Sequence, residues 1–167
     1  MSNLRVILLA DLLEEARNHT LQTAAGVPES HRLKQVQAGK ATPLWLVGHL
    51  ANTLNTLVLV YTLEEASALS REQSNLFAPD FVGGKAPTGN ADDYPAWDEV
   101  IELYKAVFDR TVPGIRKLSD DALAAPLPGR LPDALREYFS SIGTTLSIMV
   151  HHDGYHRGQI GMLAKLD

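Results

Sequence analysis

Three histidines stand where imidazole chemistry is possible. The run His151-His152-Asp153-Gly154-Tyr155-His156 puts His152 and His156 four residues apart, so on a helix both rings leave one face and can share an ion. Along that helix His156 falls in line with Ile142, Met149 and Leu163, Asp153 falls in line with Phe139, Leu146 and Ile160, and His152 lies at the stripe's edge. Polar groups therefore interrupt an apolar seam at one level. Burying ionisable side chains is costly unless they are paired, hydrogen-bonded or metal-bound, and coordination would account for the cluster. A third imidazole, His49 in Trp45-Leu46-Val47-Gly48-His49-Leu50-Ala51, sits among apolar residues near the start of another helix. In an antiparallel pair the two levels coincide, giving a divalent-metal site of three imidazoles with a position left for water or substrate. Taken alone, each histidine is better explained as solvated or as a core residue satisfied by a hydrogen bond; the three-way coincidence points to metal. His151 points away from the pair, and His19 and His31 read as structural or surface residues.

The elements that must position these rings follow from hydrophobic periodicity. Val6, Leu9, Ala10, Leu13, Ala16, Thr20 and Leu21 predict a first helix from about Asn3 to Ala24. A connector between Gly26 and Thr42 has room for a helical turn around Arg32 to Gln37. Thr42-Pro43, a capping hydroxyl before proline at the first helical position, opens a second helix expected to reach about Leu69. Ser70 to Tyr94 reads as a long surface crossover pinned by Phe77 and Phe81. A third helix is expected from Pro95 to Lys117, bent or shortened by Pro113-Gly114, and a fourth from about Asp133 to Lys165 with Leu135 and Phe139 on its stripe. Gly154 and Gly158 would let a neighbouring helix approach it. Four amphipathic helices and no alternating strand pattern predict an all-α, antiparallel four-helix bundle with long crossover loops, a single domain over 1–167.

Composition bounds the chemistry. The chain has 167 residues, 45% hydrophobic and 21% charged, enough for a core that folds without a structural ion. With no cysteine, ligands must be His, Asp or Glu, and neither a disulfide nor a cysteine nucleophile is available. A formal charge of −5 with scattered Lys and Arg argues against a nucleic-acid partner. Asp11, Glu14 and Glu15 interrupt the apolar N-terminal patch, so neither a signal peptide nor a membrane association is expected, and a soluble, cytoplasmic protein is. Leu12 and Leu103 lie beside the main stripes of their helices, and such widened apolar faces suit a homodimer.

The string His152-Asp-Gly-Tyr-His156-Arg-Gly-Gln159, with Trp45-Leu-Val-Gly-His49-Leu-Ala upstream, resembles the DinB-like family of metal-binding four-helix bundles over nearly the whole chain. The resemblance implies that His49, His152 and His156 bind a divalent metal, commonly nickel or zinc. It also implies activities such as transfer or isomerisation with a low-molecular-weight thiol cosubstrate, or metal-dependent hydrolysis of a small-molecule substrate; the competing reading is a noncatalytic metal-binding or stress-response protein that binds without turnover. Asp153 is a candidate to orient a ligand or act as a base, and Tyr155 to wall the pocket or donate a proton.

Overall fold

A computed structural model describes residues 3–129 and 131–166. The chain is all-α, with no strand among the described residues. Its long helices are α1 (Leu4–Ala25), α2 (Pro43–Leu54), α4 (Trp97–Ile115) and α6 (Ile142–Leu163); α3 (Arg71–Leu76) and α5 (Asp133–Arg136) are short helices in the connections. In this helical bundle α1 and α2 each pack against both α4 and α6.

The buried faces follow the periodicity. Val6, Ala10, Leu13, Ala16, Thr20 and Ala24 are the inward side of α1, and Trp97, Val100, Tyr104, Val107 and Phe108 that of α4. Helix α2 is buried almost all round, as expected of an element with neighbours on every side. The run Pro43–Val60 is long and apolar enough to cross a membrane, but 83% of it is buried inside the protein.

Helix boundaries depart from expectation at two places that bear on the site. Helix α2 starts as expected, with the Thr42 hydroxyl accepting the Trp45 amide proton at 3.1 Å. It does not run to Leu69. From Asn55 to Val60 it widens into i→i−5 hydrogen bonds, Tyr61 N–H to Thr56 O at 3.0 Å and Leu63 N–H to Val58 O at 2.9 Å, and Glu64 then turns left-handed at φ 55. The Asn55 carboxamide holds the returning chain by accepting from Ala68 N–H at 2.8 Å and donating to Ser67 at 3.0 Å. Helix α6 begins at Ile142, not Asp133. Ser141 is extended, and its hydroxyl accepts from the Thr144 amide at 3.1 Å, so this N-cap ends any helical continuity with α5. Leu135 and Phe139 therefore meet the core from outside α6.

Smaller expectations also change. The connector's helical turn forms at Glu29–His31 rather than at 32–37. The crossover contains α3, opened by a Ser70–Gln73 capping box. Of its two aromatic pins, Phe77 is fully buried while Phe81 is 75% exposed. Pro113 lies inside α4, which continues to Ile115.

Candidate metal centre

Helix α2 brings one histidine to the site and α6 brings two. His49 is buried, His152 and His156 half-buried, and the ligand atoms of the three all lie within 4.8 Å of one another. His152 Nε2 stands 3.2 Å from His49 Nε2 and 3.1 Å from His156 Nε2. Nitrogens each about 2.0–2.1 Å from a common ion stand roughly 2.8–3.4 Å apart for coordination angles between octahedral and tetrahedral. The spacing fits.

Hydrogen bonds on the far side of two rings settle which nitrogen faces inward. His49 Nδ1 is 3.0 Å from the Phe77 carbonyl, which can only accept, so Nδ1 carries the proton and Nε2 offers a lone pair. His156 Nδ1 donates to Gln159 Oε1 at 2.6 Å, because the amide nitrogen of Gln159 is engaged in donating to the Tyr155 hydroxyl at 3.2 Å. Two lone pairs thus converge on His152 Nε2, which has at most one proton to share between them. A divalent cation would satisfy all three nitrogens together.

The electrostatics keep the rings neutral, the form a ligand needs. Burial, assisted by repulsion from His156, holds His49 down to about 4 against the bond to Phe77. His152 is held at about 3 by burial and then by His156 and His49. Burial also lowers His156, opposed by its bond to Gln159 and by the Asp153 charge.

Gly48 places one of these bonds. A Cβ there would lie 2.3 Å from the Phe77 ring, so glycine lets the ring settle against α2 with its carbonyl over His49. Trp45 fixes the same corner: its indole N–H donates to Leu76 O at 3.2 Å, and its ring stacks on His49 at 4.8 Å between centroids. The end of α3 is thereby tied to α2 by two donors one turn apart.

The cluster borders an open cavity of about 720 Å³ between α2, α6 and the two long connections. Tyr155 stands at its rim, 66% exposed, with its ring edge-on to His156. Asp153 points the other way. Its carboxylate accepts from Thr20 and Tyr104, each at 2.6 Å, linking α6 to α1 and α4, and burial raises its pKa against those two bonds. His151 is exposed at the cavity mouth and outside the three-histidine group. His19 is exposed, and His31 reaches the Leu166 carbonyl through Nε2 at 2.6 Å. Gln159 and the Phe77 carbonyl do not announce a role in the sequence; the three-residue step from His156 to Gln159 on one helix is the signal available for the first.

The family model of the DinB superfamily matches residues 12–160. The chain belongs to the DinB superfamily. That match takes in all three histidines and the side chains that orient them. A comparison with curated proteins finds none that matches this DinB superfamily chain.

Proposed function

We propose that this DinB superfamily protein is a divalent-metal-dependent enzyme of the thiol S-transferase or hydrolase type, acting on a small molecule in the cytoplasm. On this reading residues 1–167 form one antiparallel four-helix bundle domain, and His49, His152 and His156 hold nickel or zinc, both suited to imidazole ligands. The carrying observation is that three imidazole Nε2 atoms converge beside a cavity large enough for a small molecule. A bound cation would supply Lewis acidity, lowering the pKa of a coordinated water or thiol.

The protein's own groups would do the rest. The Phe77 carbonyl and Gln159 keep the His49 and His156 Nε2 lone pairs turned toward His152 Nε2, where a cation would sit, and apolar cavity walls would limit water around the reacting group. Tyr155 Oη, at the exposed rim beside His156, would pass a proton there; the hydrogen bonds of Asp153 support a positioning role, holding α6 in register with α1 and α4. The competing reading, a noncatalytic metal-binding or stress-response protein, draws on one feature: among the described residues no carboxylate lines the cavity to serve as a base.

Metal analysis of tag-free protein tests the site. Wild type should take up one equivalent, the His156→Ala variant should lose tight binding while remaining helical, and His151→Ala should bind as wild type does. Binding below about a tenth of an equivalent after metal addition would end the metal reading. A screen of thiols with electrophilic acceptors then separates enzyme from silent binder by whether acceptor is consumed. We further propose a homodimer through the exposed Leu4, Ile7, Leu8 and Leu12 of α1; a monomer by light scattering at high concentration would exclude it.

A further inference from the structure

We propose that the cavity beside the histidines binds a small molecule with an uncharged, largely apolar body bearing an amide or hydroxyl group, and that the carboxamide of Asn52 holds that group. The inference rests on the reading of this cavity as a substrate site and names the class of substrate.

Asn52 follows His49 by three residues on α2, on the same side of the helix, and lines the cavity. It is only 7% exposed, and its Oδ1 has no hydrogen-bond partner. A buried amide oxygen without a partner is costly and uncommon. Asn55, one turn further along, shows what a structural asparagine does in this helix: both ends of its carboxamide are engaged by Ser67 and Ala68. Asn52 has no such assignment. The terminal torsion of asparagine is soft, so a half-turn exchanges oxygen and nitrogen and lets the carboxamide accept from, or donate to, a guest in the cavity.

The surrounding chemistry selects the guest's body. Among the described residues no lysine, arginine, aspartate or glutamate lines the cavity. Apart from whatever group reaches the histidines, a charged substituent would enter without a counter-charge. Thr53 and Thr56 extend the neutral polar strip beside Asn52, and Leu57, Ile148 and Met149 supply an apolar wall. Phe81, Val82, Tyr138 and Tyr155 stay exposed at the cavity although they come from three separate segments. Apolar side chains gathered around a concave site from separate segments fit a ligand body packed between them. A volume of about 720 Å³ suits a molecule larger than a single ring.

Ligand-observed NMR titration with two probes of similar size, benzamide and ethylbenzene, tests the assignment on wild type and on Asn52→Leu, which keeps the side chain's size and removes its polarity. Benzamide should bind wild type saturably and lose about tenfold in affinity in the variant, with ethylbenzene changing less than twofold. Equal loss of both probes, unchanged benzamide affinity in the variant, or no saturable benzamide binding to wild type would each overturn the proposal. If Asn52→Leu does not fold, Asn52→Ala is read by the same criteria. Metal content is measured on the same samples: wild type that takes up no metal sinks the metal reading while the probe comparison still decides the role of Asn52, since neither probe carries a thiol.

Discussion

An imidazole offers a cation one lone pair, and which nitrogen bears it depends on what the other nitrogen touches. At His156 that choice rests on a single side chain, since Gln159 Oε1 is the partner of Nδ1. Replacing Gln159 by Leu removes the acceptor, frees the ring to rotate or change tautomer, and leaves the three ligands themselves in place. Metal affinity should fall about 10- to 100-fold, read by competition against a chromophoric chelator, with helicity unchanged. An affinity equal to wild type would mean that packing alone orients the ring. His49 is held differently, by a main-chain carbonyl that no substitution removes directly. Its orientation has to be perturbed through the packing of Phe77.

The glycines of α2 and α6 show how an element serves the site. At Gly48 a methyl group would meet the Phe77 ring at 2.3 Å. Gly48→Ala gains up to about 1 kcal/mol of helix propensity but should lose more by overpacking, about 1–3 kcal/mol. It should be net destabilised in urea unfolding and weakened in metal affinity, because the displaced Phe77 takes its carbonyl from His49. Gly158 is the opposite case. The sequence suggested that Gly154 and Gly158 admit a neighbouring helix, yet a Cβ at Gly158 meets nothing within 4 Å and one at Gly154 meets only Arg157 Nη2 at 4.0 Å. Gly158→Ala should therefore stabilise by about 0.5–1 kcal/mol, raising the thermal midpoint by roughly 1–4 °C for a chain this size; a lower midpoint would mean that a partner covers this face. The inward stripes of α1, α4 and α6 and the Thr42-Pro43 start of α2 were legible in sequence because each rests on local spacing or a local cap. The end of α2 was not, because it is set by the distant grip of Asn55 on Ser67 and Ala68, with no glycine or proline to announce it. The start of α6 had a signal in Ser141 and Thr144 that the longer apolar stripe through Leu135 and Phe139 masked.

Over the whole molecule, stability should carry the signature of the three neutral rings. Unfolded, each histidine titrates near 6.5; folded, His49 and His152 are held to about 4 and 3, and His156 is lowered as well. Between those values and 6.5 the unfolded chain binds more protons than the folded protein, so stability rises with pH through this window. The contribution is complete above 6.5 and is lost as pH falls through the folded values. Asp153 acts in the opposite sense: its folded pKa is raised from 3.8 by burial, so just above 3.8 the folded state is the one that holds the extra proton. One carboxyl opposes three imidazoles, and the histidines win. The thermal midpoint of metal-free protein should thus fall steadily from pH 7 to pH 4, and the triple variant with His49, His152 and His156 replaced by Gln should show a shallower fall. Saturating zinc should raise the midpoint of wild type at pH 7, since an ion bound only by the folded state adds about 2.7 kcal/mol at a hundred times its dissociation constant. That gain should fade toward pH 4 as protons compete for the same nitrogens. Equal slopes in wild type and triple variant would assign the acid sensitivity to other groups and leave the neutral, convergent rings without their predicted energetic consequence.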